Sequence, residues 1–243
     1  QFKRYSKRHR RSVYAFSIGK NELSSSMDDL RKQGRQRDSN QDLIAIQFAD
    51  TKRSDSRIDR VFVFDGVTES LRSREWAEAL LESAIETRLS ISTMANAGVL
   101  KKWHQRALSK WQSWIENEYE PNRQQDSRWL EDRRREDAHT TLIIYEPSDR
   151  QRGGKIALVG DSPVLAFTES GLSPMMIPSD FDHAMGPETI GTNRVPSADD
   201  FTFEMIQPHW DKIILCTDSI GDYLHKKLDN QDEAFNFLRS CTD

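Results

Sequence analysis

The 243-residue sequence predicts an α+β fold. Three observations lead there. Short apolar runs gather before and after a pair of helix-spaced stripes, rather than alternating with helices one for one. The apolar spacing changes to steps of three and four residues between about residues 73 and 115. Three of the short runs stop abruptly at an aspartate, as strands do where the chain turns at a sheet end.

The elements follow in order. Residues 12–18 alternate loosely and predict a first strand, and residues 23–41 are polar, with Ser24-Ser25-Ser26, and predict a loop. Residues 43–48 and 61–64 are apolar strands, the second ending at Asp65-Gly66. Over 73–95, Trp76, Ala77, Leu80, Leu81, Ala84, Ile85 and Leu89 form one helix stripe. A second stripe carries Leu100, Trp103, Ala107, Leu108, Trp111, Trp114 and Ile115. Its three tryptophans suit core anchors between packed helices better than a ligand box. Residues 117–138 are highly charged and predict a solvated connection, in part helical. Strands return at 140–145, 155–159 and 164–167, the first two joined as a hairpin through Arg152-Gly153-Gly154. Residues 171–200, rich in Pro, Gly, Ser and Asp, predict an irregular surface segment. Residues 201–206 and 212–217 are strands, the latter ending at Asp218, and helices follow at 219–228 and 233–238.

Composition narrows the function classes. The net charge of −4 with 30% charged residues gives no nucleic-acid signal. No apolar run approaches the ~20 residues of a membrane span, so no membrane insertion is expected. The basic N-terminal cluster of Lys3, Arg4, Lys7, Arg8, Arg10 and Arg11 has no apolar region after it and reads as a solvated arm or the cut end of a longer chain. Two cysteines, Cys216 and Cys241, support neither a disulfide framework nor a four-cysteine zinc site. Cys216, inside an apolar run, reads as a core thiol, and the expected compartment is the reducing cytoplasm.

The chemistry-bearing residues are the strand-end aspartates. Asp65 and Asp218 each end an apolar run, and Asp161 follows a third through Val159-Gly160. A carboxylate at the tip of a buried strand is rigidly aimed, as an oxygen-ligand metal site requires. One such Asp would be an ordinary turn residue; three suggest a carboxylate cluster at one sheet edge.

Five segments then resemble, in order, those of the protein phosphatase 2C family. Arg37-Asp38-Ser39-Asn40-Gln41-Asp42 resembles its Arg-x-x-Asn-Glu/Gln-Asp segment. Val63-Phe64-Asp65-Gly66 resembles Val-x-Asp-Gly, and Ala138-His139-Thr140-Thr141-Leu142 resembles Gly/Ala-x-Thr-Ala/Thr-Leu. Ala157-Leu158-Val159-Gly160-Asp161-Ser162 is similar to its Val-Gly-Asp-Ser strand end. Asp211 to Asp218 is similar to its Asp-x-Ile/Leu-Leu-Leu-x-Ser/Thr-Asp-Gly segment.

The resemblance implies two stacked antiparallel β-sheets flanked by helix pairs, an α-β-β-α sandwich, with residues 1–243 as a single such domain; whether it was cut from a longer chain at one or both ends stays open. It implies a metal-dependent serine/threonine protein phosphatase using two Mn²⁺ or Mg²⁺ ions. Asp65 would bridge the ions, the Gly66 carbonyl with Gln41 or Asp42 would complete one site, and Asp218 would hold the other. Asp161 stands either at a third, looser ion position or as a turn aspartate, and Asp243 is the counterpart of the family's last ligand. A water made acidic between the ions would attack phosphorus in line, with Arg37 forking onto the phosphate oxygens. The implied partners are a phosphoserine or phosphothreonine protein and a cognate Ser/Thr kinase. Val67 and Ser219 depart from the family pattern: valine cannot act as a general acid, and serine replaces a glycine after Asp218. These departures give a rival expectation, a phosphatase-like binding module with weak or no catalysis.

Overall fold

Alternation along three central strands decides the layering. The computed structural model describes residues 3–5, 13–15, 42–48, 58–67, 70–122, 137–148, 153–167, 175–177, 188–207, 210 and 212–218. Within these, a five-stranded sheet is formed by β3 (Leu43–Phe48), β4 (Ile58–Phe64), β6 (Leu142–Pro147), β7 (Gly154–Val159) and β11 (Thr202–Ile206). Its spatial order is β11-β7-β6-β4-β3, with every neighbouring pair antiparallel. A second, three-stranded antiparallel sheet has the order β12 (Lys212–Leu215), β8 (Val164–Phe167), β9 (Met175–Ile177).

Successive side chains of a strand face opposite sides of its sheet. Phe62, Phe64, Leu142, Ile144, Ala157 and Val159 point to one side and pack with Trp76, Leu80, Leu100, Trp103 and Trp111. The intervening Val63, Ile143, Ile156 and Leu158 point to the other, where Val164 and Ala166 of the second sheet meet them. The sheet is therefore buried on both faces, by a helix pair and by a second sheet. That is the α+β sandwich expected, seen as three layers; the helices expected at 219–228 and 233–238 lie outside the described residues.

The helix pair is α1 (Ser73–Thr87) and α2 (Ala97–Trp114). A tryptophan and a serine interlock them with backbone: Trp103 Nε1 donates to the Leu80 carbonyl at 2.9 Å and Ser83 Oγ to the Trp103 carbonyl at 2.7 Å. Trp76 Nε1 donates to the Ile190 carbonyl at 2.8 Å, so the buried indoles of Trp76 and Trp103 both have partners. Trp103 and Trp111 are core anchors as expected, while Trp114 is half-buried and stacks on Tyr119 with ring centroids 5.8 Å apart.

Several boundaries differ from expectation, each for a local reason. The helix expected over 73–95 stops at Thr87. Arg88 adopts φ 53° and its N–H closes on the Ala84 and Ile85 carbonyls, a left-handed C-cap. Leu89 keeps its place in the core beyond the helix, and Ser90 starts a separate turn of 3₁₀ helix at Ile91–Thr93. The second helix continues through a π-helical turn at Ile115–Tyr119 and a short helical piece at Glu120–Asn122, the helical part of the charged connection. The strand expected at 140–145 divides at Thr141 into β5 (His139–Thr140) and β6. Inside the segment expected to be irregular lie β9, β10 (Ile190–Gly191) and a 3₁₀ turn at Ala198–Asp200. β10 pairs with β5. The N-terminal arm is not wholly irregular either, since β1 (Lys3–Tyr5) pairs with β2 (Val13–Ala15), a shorter strand than the 12–18 expected. Among the described residues no helix is long and apolar enough to cross a membrane.

Candidate functional site

Register brings the first two carboxylates together. In the β3–β4 pair, Leu43 faces Phe64 and Ile44 faces Val63. One step past Leu43–Phe64, Asp42 and Asp65 leave the two strands at the same end of the sheet. A third strand end joins them from the second sheet: the Asp218 N–H, three residues beyond β12, donates to Asp65 Oδ2 at 3.2 Å. The side chains of Asp42 and Asp218 both hydrogen-bond to the Asp65 carboxyl. The chain separates these residues by 23 and 153 positions, so the cluster is a product of the fold.

Asp65 is held stiffly. It is only 6% exposed, and its carbonyl accepts from the Thr141 N–H at 2.9 Å and from Thr140 Oγ1 at 2.9 Å. Its own N–H donates to Thr141 Oγ1 at 3.3 Å. Gly66 bridges Thr140, and the Val67 N–H continues the pairing to the His139 carbonyl at 3.2 Å. The Val67 carbonyl then accepts from Ser73 Oγ at 2.7 Å and Ser70 Oγ at 3.0 Å, fastening the loop to the start of α1. Arg74, also in the first turn of α1, donates from Nη1 to the Asp42 carbonyl.

The electrostatics are those of carboxyls forced together. Burial pushes the Asp65 carboxyl up to about 9, and the charges of Asp42 and Asp218 push in the same direction. A bound cation reverses this, because it converts mutual repulsion into shared attraction. The donor set fits a hard divalent ion: Asp65, Asp42, Asp218 and the Gly66 carbonyl all offer oxygen. The nearby thiol of Cys216 faces away, donating to the Pro163 carbonyl at 3.5 Å, and burial pushes it up to about 12. Among the described residues no group of three or more His, Cys, Asp or Glu side chains is arranged to hold a metal ion. The three aspartates close on one another through hydrogen bonds instead.

Of the other expected site residues, Asp161 sits in the turn after β7, half-buried. The charges of Asp42 and Asp218 raise Asp65. Arg37, Gln41 and Asp243 lie outside the described residues. What sequence reasoning missed is the hydroxyl frame of Ser70, Ser73, Thr140 and Thr141 around the strand end. The available signal was two adjacent threonines at the start of an otherwise apolar strand, where buried hydroxyls need partners. A separate cavity of about 580 Å³ lies over α1 and α2, lined by Glu82, Lys110 and Trp114 among others, and shares no residue with the cluster.

No protein-family model matches the sequence, and no curated protein matches it. Solved structures do. The serine/threonine phosphatase Stp1 from Staphylococcus aureus is similar at 15% identity and TM-score 0.49, covering 86% of this chain and 87% of that one. A bacterial serine phosphatase is similar at 15% identity and TM-score 0.47, covering 82% and 85%. The catalytic domain of the serine threonine protein phosphatase PstP, in complex with two manganese ions, is similar at 12% identity and TM-score 0.40, covering 79% and 90%. At these scores the fold rests on the strand order and registers of the chain itself.

Proposed function

We propose that this chain is a protein phosphatase 2C-type serine/threonine protein phosphatase, a single domain dependent on Mn²⁺ or Mg²⁺. The observation that carries the reading is the convergence of Asp42, Asp65 and Asp218 from three strand ends of two sheets. Five sequence segments in family order support it independently.

In this reading Asp65, Asp42 with Gln41, the Gly66 carbonyl, Asp218 and Asp243 would hold two divalent ions, and Asp161 would serve a looser third. Bound there, the ions would acidify a water and neutralise charge on a phosphomonoester. The chain's own residues do the rest. Thr140 and Thr141 fix the backbone of Asp65, so that its carboxylate does not reorient during reaction. Arg37 binds phosphate oxygens with a planar fork that lysine could not reproduce. Val67 holds its loop by backbone contacts alone and gives no proton, so the leaving group takes its proton from solvent. The substrates are phosphoserine and phosphothreonine proteins, the partner activity is a Ser/Thr kinase, and the buried free thiol of Cys216 suits the cytoplasm.

The test is hydrolysis of p-nitrophenyl phosphate and a phosphothreonine peptide with Mn²⁺, with Mg²⁺ and with EDTA. The expected result is release that needs a cation and stops in EDTA. No release from the folded chain with either cation overturns the enzyme reading and favours a phosphatase-like binding module.

A further inference from the structure

Two buried hydroxyls join the ends of the two sheets. Thr141 is 3% exposed and Ser162 is 1% exposed, with their Oγ atoms 2.8 Å apart. Thr141 grips the backbone of Asp65 twice, donating its N–H to the Asp65 carbonyl and accepting the Asp65 N–H at Oγ1. Ser162 lies in the turn that carries the chain from β7 in the five-stranded sheet to β8 in the three-stranded one. That turn is pressed against Thr141: Gly160 has φ 105°, and a Cβ there would stand 2.5 Å from Thr141 Cγ2. One residue on, the Pro163 carbonyl accepts from the Cys216 N–H at 3.3 Å. Cys216 precedes Asp218 by two residues, and Asp218 closes back on Asp65 through its N–H.

The path Asp65, Thr141, Ser162, Pro163, Cys216, Asp218 is thus a closed ring of hydrogen bonds and short chain segments across both sheets. Within it, the hydroxyl pair is one side-chain link, and the Asp65 carboxyl that accepts the Asp218 N–H is another. Elsewhere the sheets meet through apolar side chains such as Val63, Ile143, Val164 and Ala166, which set their spacing with less directional precision. A bridging carboxylate on one sheet and a ligand on the other need that spacing held to a fraction of an ångström.

We propose that the Thr141–Ser162 hydroxyl pair is a positioning device that sets the placement of Asp65 relative to Asp218, and thereby the affinity of the cluster for divalent cations. The proposal rests on the cation-dependent reading above. Neither residue touches substrate; both act through the backbone they hold.

The experiment is calorimetric titration of the full chain with Mn²⁺, beside thermal unfolding in EDTA, for the wild type, Thr141→Val, Thr141→Ser, Ser162→Ala and the Thr141→Val/Ser162→Ala double variant. Thr141→Val and Ser162→Ala should each weaken Mn²⁺ binding about 10- to 100-fold, as loss of a group supporting a ligand does. The double variant should bind no worse than Thr141→Val alone, because that substitution already breaks the link to Ser162 along with the contact to the Asp65 N–H. Thr141→Ser, which keeps the hydroxyl, should bind as the wild type does. It and Ser162→Ala carry the test if Thr141→Val fails to fold. Folded variants with a lowered Tm but wild-type Mn²⁺ affinity would reduce the pair to mutual hydrogen-bond satisfaction and overturn the proposal alone. A wild type that binds no Mn²⁺ overturns the functional reading with it.

Discussion

Two buried polar groupings in this chain are built on opposite principles. Under the helices, His104 is 1% exposed, its Nε2 lies 2.8 Å from the Gly191 carbonyl, and its ring meets Trp76 edge-on. Burial holds it below the ordinary histidine range, so it is neutral at pH 7. At the strand ends, Asp65 is nearly as deep, yet its neighbours are two more carboxyls. The first grouping gives the ring Nε2 a carbonyl partner, while Nδ1 is buried without one among the described residues, and no charged side chain presses on it. The second gathers like charges, which opposes stability until something positive joins them. Depth alone does not distinguish a core residue from a site residue; the sign of the neighbouring charge does.

The sharpest way to separate the two is Asp65→Asn. On the proposed function, it should lower cation-dependent phosphatase turnover at least about a hundredfold by removing a carboxylate from the centre of the cluster. Its Tm in EDTA should not fall, since an unfavourable contact goes with it. Wild-type turnover in this variant would remove Asp65 from the chemistry. Next in size, Trp76→Ala should cost about 3–5 kcal/mol of stability, the usual range for deleting a fully buried large aromatic side chain. Denaturant unfolding measures that loss. Mn²⁺ affinity at temperatures where the variant stays folded should be unchanged, and a parallel loss would mean that the helix layer shapes the cluster after all.

The smallest effect is the pH dependence, and here the two groups should oppose each other. His104 has a folded pKa below its unfolded 6.5, so the unfolded chain binds its proton first. Its contribution is present above pH 6.5 and is lost as pH falls through the folded value. Asp65 has a folded pKa raised from 3.8 to about 9, so the folded chain keeps a proton that the unfolded chain releases. In EDTA its contribution is present below about pH 4 and is lost as pH rises towards 9. Thermal unfolding across pH 4–9 should therefore lose the acid-side decline in His104→Phe and the alkaline-side decline in Asp65→Asn. Unchanged slopes in both variants would contradict the assignment.

The strands at 61–64 and 155–159 were legible because both faces of the central sheet are buried, which makes their sequences nearly continuous apolar runs. The helices were legible from their stripes, but the end of α1 was not. Leu89 keeps the helical spacing while sitting beyond a left-handed Arg88, a conformation with no glycine to announce it. The break at Thr141 was equally hidden, since Thr140 and Leu142 both read as strand while their partners belong to different sheets.

For the site, the sequence by itself determined which residues could stand at strand ends: Asp65, Asp161 and Asp218 each follow an apolar run, and that is a local property of a chain leaving a sheet. Only the tertiary structure decided which of them meet. The antiparallel register of β3 against β4 carries Asp42 to Asp65, and the stacking of the second sheet brings in Asp218. Convergence depends on register and on sheet-to-sheet contact, both of which are long-range, and a one-residue slip in either would turn the carboxylates to opposite faces.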